Sequence, residues 1–148
     1  NGVSGIGPIE SFDASGFASR IAGEIKNFDI TQFIPAKEAR KMDPFIHYGL
    51  AAAIEAIEDS GIEVTEANAK RIGTIIGSGI GGLPGIEKGY QSFLDGGPRR
   101  ISPFFVPSNI INMVAGNLSI KYGLKGPNYA IVSACSTGAH SIGLAART

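Results

Sequence analysis

Apolar positions recur at helical spacing in three parts of the chain, and each part is bounded by residues that start or stop helices. The longest covers residues 45 to 59, with Asp43-Pro44 as cap and first turn and Gly61 as the stop. Further helices are predicted over residues 84 to 94, closed by a Gly-Gly pair, and from Ser108 to residue 122, followed by glycine. The small residues of the first helix predict another element packed close to it, and they are Gly49, Ala52, Ala53 and Ala56.

Two shorter segments, residues 71 to 77 and 129 to 134, are rich in apolar residues and predict buried strands. Residues 101 to 107 are interrupted by prolines and are predicted to be extended. Strands that alternate with helices predict an α/β fold with a parallel sheet covered on both faces. Two strands are few for such a sheet, and the chain starts in a glycine-rich turn and stops within a helical pattern. We therefore expect a fragment.

Composition narrows the class of protein. The chain has 148 residues, enough for one core, and 43% of them are hydrophobic. Its single cysteine excludes an internal disulfide framework and fits a reducing compartment such as the cytoplasm. No apolar run reaches the length that spans a membrane, so no membrane partner is expected.

Charge is balanced overall but unevenly distributed. All 13 acidic residues precede residue 96, whereas the remainder carries only cations: Arg99, Arg100, Lys121, Lys125 and Arg147. This cationic half predicts an acidic partner, or contact with another part of the same molecule. Nucleic acid is not expected, because the basic residues are few and the aromatics near them have a core-like pattern.

Cys135 lies where the second predicted strand passes into a helix of small residues. Backbone N–H groups at a helix start are unsatisfied and favour the thiolate over the thiol. The thiolate is the reactive form, so the position suits a covalent nucleophile. The alternative is a buried cysteine that serves as a small hydrophobic residue.

The glycine loop, residues 77 to 82, satisfies the dinucleotide-binding pattern G-x-G-x-x-G between a strand and a helix. The acidic residue expected about twenty residues further on is missing, so nucleotide binding is disfavoured. Alternatively, the glycines let the backbone pass close to a ligand or to another chain, which leaves Ile80 as a lone projecting apolar side chain.

Neither histidine is expected to act as a base for Cys135. His140 follows five residues later, and at about 100° per helical residue it points away from the thiol. His47 lies in the first predicted helix, on an element whose alanines indicate scaffold. The chain thus supplies a nucleophile without its base.

Residues 133 to 143, Ser-Ala-Cys-Ser-Thr-Gly-Ala-His-Ser-Ile-Gly, resemble the active-site signature of the β-ketoacyl-acyl-carrier-protein synthases of the thiolase superfamily. Ile80 and the Phe104-Phe105 pair resemble the type II branch. Other segments resemble the family in the same order, namely residues 40–43, 77–82, 96–99, 101–108 and 112–116. The resemblance implies that residues 1–148 are a partial amino-terminal domain of a thiolase-like α/β fold, without the first core strand and the carboxy-terminal half.

The resemblance also implies roles for particular residues. Cys135 would carry the acyl group, and its backbone N–H would form half of the oxyanion hole in a decarboxylative Claisen condensation. Ile80 would gate the acyl pocket, and Phe105 would line it near a dimer interface. A basic patch would face the acidic acyl carrier protein, and it comprises Lys37, Arg40, Lys41, Arg99 and Arg100.

Two histidines, a lysine and the second oxyanion donor of the family would come from beyond Thr148. Neither a metal nor a cofactor is implied, and the expected state is a homodimer. Two rivals within the same fold are a polyketide ketosynthase and a non-catalytic subunit or fragment.

Overall fold

A computed structural model describes residues 2–148 of the chain. Two short strands near the amino terminus, β1 (Gly7–Pro8) and β2 (Ile21–Ala22), pair antiparallel. Two more, β3 (Thr74–Ile75) and β4 (Asn128–Tyr129), pair in parallel. The helices are α1 (Ala36–Ala39), α2 (Pro44–Ser60), α3 (Leu83–Gly96), α4 (Phe105–Asn109), α5 (Met113–Tyr122) and α6 (Thr137–Ala145). Short 3-10 turns cover Ile30–Gln32, Ala69–Arg71, Pro98–Arg100 and Ala134–Ser136.

The core forms where α2 packs against α5. Ile46 and Leu50 of α2 are fully enclosed and share one apolar cluster with Val114 of α5. A side chain at Gly49 would overlap that of Val114, so glycine allows the two helices to approach closely. The predicted close contact is therefore confirmed at Gly49, although Ala52 is exposed.

The ends of α2 and α3 agree with the sequence. The Asp43 side chain accepts a hydrogen bond from the backbone N–H of Phe45 at 3.2 Å, which caps α2. Gly61, with φ of 65°, and Gly97, with φ of 73°, end α2 and α3.

None of the helices within residues 2–148 is long and apolar enough to cross a membrane.

Strands β3 and β4 are parallel to each other, as predicted, and both α5 and α6 contact β3. They are much shorter than predicted, with two residues each. Tyr129 and Val132 are each 52% exposed, so the prediction of a buried strand over residues 129 to 134 was wrong. The physical reason is that β4 ends at Tyr129 and, within residues 2–148, no element covers the Tyr129 and Val132 side chains.

The prolines were also misinterpreted. Residues 101 to 107 are not wholly extended, because α4 begins at Phe105. Pro107 lies in the first turn of α4, where its missing N–H costs no helical hydrogen bond. Ser108 does not cap a helix as predicted; it lies inside α4, and its hydroxyl donates to the Phe105 carbonyl at 3.1 Å. The next helix, α5, starts only at Met113.

Candidate active site

Cys135 lies on a sharp bend between the end of the β4 segment and α6. It is exposed, in the 3-10 turn that directly precedes α6. The residue before it, Ala134, has φ of 50°, in the left-handed region that alanine rarely adopts. Such strained backbone occurs at functional sites, where the surrounding structure holds it in place. The bend therefore presents the only thiol of the chain at the surface.

Hydrogen bonds on both sides of Cys135 hold this bend. The backbone N–H of Ser133 donates to the hydroxyl oxygen of Thr137, at 3.0 Å, and Thr137 is buried. The Ser133 hydroxyl lies 2.6 Å from Nδ1 of His140 on α6. Ser133 is thus tied twice to the helix that follows the nucleophile.

The backbone N–H of Cys135 is available to a ligand. The neighbouring N–H groups of Ser136 and Thr137 donate to the carbonyls of Ser133 and Ala134. Within residues 2–148 the N–H of Cys135 has no such acceptor. A donor at the foot of a reactive side chain can stabilise negative charge that develops on a bound carbonyl oxygen.

Both histidines have partners other than the thiol. Nε2 of His47 lies 2.9 Å from the carbonyl oxygen of Ala39, which supports its interpretation as scaffold. His140 contacts Ser133, as described above. In the part of the chain that the structure describes, neither histidine forms a hydrogen bond with the Cys135 thiol.

The glycine loop passes over the Cys135 bend. A side chain at Gly77 would overlap the carbonyl oxygen of Ile131 and the methyl group of Thr137, and one at Gly79 would lie 3.7 Å from Ala134. Here the glycines accommodate backbone of the same chain, whereas the sequence suggested a ligand or another chain. Ile80, at 71% exposure, projects from the loop as expected.

Two buried polar residues fix the far side of the glycine loop. Asn109 accepts a hydrogen bond from the N–H of Gly82 at its backbone carbonyl, at 3.0 Å. The carboxylate of Asp43 accepts one from the N–H of Gly85 at 2.9 Å. Both residues are only 6% exposed. The sequence identified Asp43 only as the cap of α2, and Asn109 was missed, because the contacts join segments that are distant in sequence.

Phe105, the other predicted pocket residue, is half-buried. Its ring occupies the space that a side chain at Gly89 of α3 would need. Phe104 beside it is 45% exposed, with the Lys41 amino group 5.5 Å from its ring centre. Phe105 and Ile80 are therefore both anchored to α3, one directly and the other through the loop that precedes the helix.

A groove of about 340 Å³ lies between the start of α2, α3 and α4. Four cationic side chains line it: Arg40, Lys41, Lys88 and Arg100. We call it the basic groove. Three of these belong to the predicted patch, whereas Lys37 and Arg99 are exposed but do not line the groove. Lys88 was missed, because it lies alone among the residues of α3 and only the fold brings it to the other cations.

Lys41 is the only cation of the basic groove that forms an ion pair among the described residues. Its amino group lies 3.0 Å from a carboxylate oxygen of Glu38, one helical turn earlier. The hydroxyl-bearing residues Ser92 and Ser102 also line the groove, and Asp43 and Asn109 lie there as well. The groove thus combines an excess of positive charge with hydrogen-bonding groups.

Comparison with known proteins identifies the family. Residues 1–148 match the family model described as beta-ketoacyl synthase, N-terminal domain. The chain belongs to this family. It is 61% identical over 146 residues to 3-oxoacyl-[acyl-carrier-protein] synthase 2 of Vibrio harveyi and 62% identical to the enzyme of that name from Vibrio cholerae. Each alignment covers 99% of this chain but 35% of the relative, so the chain spans about a third of these relatives' length.

Solved structures support the fold. A type II PKS acyl-carrier protein in complex with its ketosynthase gives a TM-score of 0.74 at 26% identity, over 83% of this chain and 35% of that chain. A beta-ketoacyl synthase from Burkholderia phymatum gives 0.73 at 24% identity, over 95% of this chain and 35% of that chain. The chain therefore has the amino-terminal part of the thiolase-like ketosynthase fold, as the sequence predicted.

Proposed function

We propose that the chain is the nucleophile-bearing part of a type II β-ketoacyl-acyl-carrier-protein synthase, an acyltransferase of fatty-acid elongation. The observation that carries the proposal is Cys135, exposed on a strained bend before α6 with its own N–H unengaged among the described residues. Covalent acyl transfer needs this pairing of a nucleophile with an adjacent oxyanion donor. Two relatives named 3-oxoacyl-[acyl-carrier-protein] synthase 2 add support at 61% and 62% identity.

The proposed reaction has two stages. The sulfur of Cys135 attacks the thioester of an acyl carrier protein, forms a new thioester, and releases the carrier's thiol, which takes up the proton. A malonyl carrier protein then loses carbon dioxide, and the electron pair of the broken bond forms a carbanion. The carbanion attacks the Cys135 thioester, the thiolate leaves, and a 3-oxoacyl carrier protein is the product. The Cys135 N–H stabilises the oxyanion of each tetrahedral intermediate.

Ile80 and Phe105 are proposed to bound the acyl pocket. Ile80 is apolar and exposed on the glycine loop, which lies against the Cys135 bend. The ring of Phe105 packs against Gly89 of α3, the helix that follows the glycine loop. An acyl chain needs an apolar enclosure that begins at the nucleophile, and these two residues offer one.

The basic groove is proposed to dock the acyl carrier protein. Its cations are suited to an acidic helix and to the phosphate of the phosphopantetheine arm. Lys37 and Arg99 extend the patch around the groove. Lys88 joins the predicted patch residues because it lines the same cavity.

We also propose a homodimer and a cytoplasmic location. Apolar side chains near Phe105 are strongly exposed, with Tyr90 at 62% and Val106 at 59%, which suits burial against a second copy. A lone free cysteine suits a reducing compartment. Residues 1–148 are proposed to form part of one larger domain rather than a domain of their own.

The rival with the best support is a polyketide ketosynthase, because one structural neighbour is a type II PKS ketosynthase. Its identity to the chain is 26%, however, against 61% and 62% for the two Vibrio relatives named 3-oxoacyl-[acyl-carrier-protein] synthase 2. The two functions differ in product. The fatty-acid enzyme adds one two-carbon unit and releases the 3-oxoacyl carrier protein for reduction. The polyketide enzyme extends the 3-oxoacyl chain again without reduction.

The test uses the full-length protein that contains this chain, with acyl and malonyl carrier proteins as substrates. Mass spectrometry of the carrier should show a 3-oxoacyl product lengthened by one two-carbon unit. The Cys135→Ala variant should form no acyl-enzyme and no condensed product. Repeated extension without reduction would favour the polyketide function, and the absence of condensation by the parent protein would refute both.

A further inference from the structure

We infer that Asp43 is a positioning residue for the glycine loop, and through Ile80 for the enzyme's discrimination between acyl chain lengths. The acyl-chain part of this inference rests on the proposed function. The structural part rests only on the contacts of one buried carboxylate.

The carboxylate of Asp43 caps two helices at once. One oxygen accepts the N–H of Phe45 in α2, at 3.2 Å, and the other accepts the N–H of Gly85 in α3, at 2.9 Å. The backbone N–H of Asp43 donates to the carbonyl of Ser108 at 3.1 Å. Asp43 therefore joins three segments that are far apart in the sequence, and at 6% exposure water has little access to compete for these bonds.

Helix α3 has no cap of its own. Gly82 occupies its N-cap position and has no side chain to accept a hydrogen bond, and Pro84 in the first turn has no N–H to donate. Asp43 supplies the missing acceptor from another part of the chain. Its negative charge also lies at the positive end of the α3 dipole, which stabilises the helix start.

The start of α3 sets the position of Ile80. Ile80 lies three residues before Leu83, the first residue of α3, and the short connection includes Gly81 with φ of 89°. On the other side, the loop is held by the Ser78 hydroxyl, which accepts the Gly81 N–H at 3.0 Å. Asp43 holds Gly85 in the first turn of α3, and the Asn109 carbonyl holds the N–H of Gly82 just before the helix. The backbone that carries Ile80 is therefore tied at both ends, and Asp43 contributes one of these ties through the start of α3.

Asp43→Asn and Asp43→Ser test the inference in the full-length protein. Both replacements are good N-caps, so α2 keeps its cap, but neither has the second carboxylate oxygen that accepts the Gly85 N–H. Asp29→Asn is the matched control: Asp29 also accepts a backbone hydrogen bond, from Thr31 at 2.8 Å, but it caps the 3-10 turn at residues 30–32 and not the start of α3.

The first measurement is amide hydrogen exchange over residues 79 to 86. Both Asp43 variants should exchange about tenfold faster there than the parent, the equivalent of about 1.4 kcal/mol, whereas the Asp29 variant should match the parent in this segment. Unchanged exchange in both Asp43 variants would overturn the inference. This measurement does not depend on catalysis, so it judges Asp43 even if the proposed function fails.

The second measurement is the ratio of kcat/KM values for a short and a long acyl carrier protein. In the Asp43 variants this ratio should move towards one by several-fold, because a loosened Ile80 distinguishes the chains less well. A uniform loss for both chains, with faster exchange, would overturn the role in chain-length discrimination. Failure of the parent to condense any acyl chain would instead refute the proposed function.

Discussion

The hydroxyl oxygen of Ser133 lies 2.6 Å from Nδ1 of His140, and this contact spans the turn that carries Cys135. It joins the last residue before the strained Ala134 to the end of the first turn of α6. The sequence placed His140 away from the thiol and gave it no role. His140 instead contacts Ser133, two residues before the nucleophile. His140 can therefore influence the bend without touching the thiol.

We predict that Ser133→Ala and His140→Ala each slow the alkylation of Cys135 by a few-fold, because each removes the same hydrogen bond across the bend. A single intramolecular hydrogen bond contributes about 1 kcal/mol, so the expected effect is limited. The double variant should be no slower than either single variant, since the lost interaction is shared. The measurement is the rate of iodoacetamide modification in the full-length protein.

Ser136→Ala is the matched control for this pair. Ser136 adjoins Cys135, and its side chain has no hydrogen-bond partner among residues 2–148. Its variant should react at the parental rate. Additive losses in the Ser133/His140 double variant would show that the two residues act independently and that the contact does not hold the bend.

The nucleophile itself gives the next prediction. In the intact enzyme, an acyl thioester or an electrophilic probe should modify Cys135, because its side chain is exposed at the head of α6. Peptide mass mapping locates the adduct. Modification that persists at the same level in Cys135→Ala would assign the reactivity to another residue and remove the basis for the proposed function.

Sequence reasoning succeeded where the signal is local. The cap at Asp43 and the left-handed glycines at the ends of α2 and α3 are determined by neighbours within one or two turns. The Cys135 bend was likewise recognisable, because a strand-like run, a cysteine and small residues follow one another directly.

Sequence reasoning failed where distant segments decide the outcome. Val132 belongs to an apolar run, but burial requires a covering element, and the described part of the chain does not supply one. Lys88 lines the same groove as Arg40 and Arg100, which lie on other segments of the chain. Asn109 contacts the glycine loop, which precedes it by more than twenty residues. A single sequence contains no direct record of such contacts.

Gly77 allows a direct test of the glycine loop's packing. Gly77→Ala in the full-length protein should lower the free energy of unfolding by about 1–3 kcal/mol, because the new methyl group would overlap the Ile131 carbonyl. Gly143→Ala is the control: within residues 2–148 nothing lies within 4 Å of its added carbon, and it is interior to α6. There alanine should leave stability unchanged or raise it by about 0.5–1 kcal/mol.

Denaturant titration of the two glycine variants gives the comparison. If Gly77→Ala were as stable as the parent, the loop would have room to move away from residues 131 to 137. The close packing between the loop and the Cys135 bend would then not be a constraint on the active site.

The last prediction tests whether acyl carrier protein binding depends on the cations that line the basic groove or on the positive charge around it. Lys88→Glu and Arg100→Glu should each raise KM for acyl carrier protein more than Arg99→Glu does, since Lys88 and Arg100 line the groove and Arg99 does not. Exposed charge contacts contribute about 1 kcal/mol or less, so each single effect should be several-fold and should diminish as salt is raised. Turnover of a small uncharged thioester should be nearly unaffected.

Lys125→Glu, an exposed charge reversal outside the groove, controls for net charge. An equal effect of Lys125→Glu would mean that overall charge, rather than the groove, attracts the carrier, and equal losses with both substrates would indicate a damaged fold.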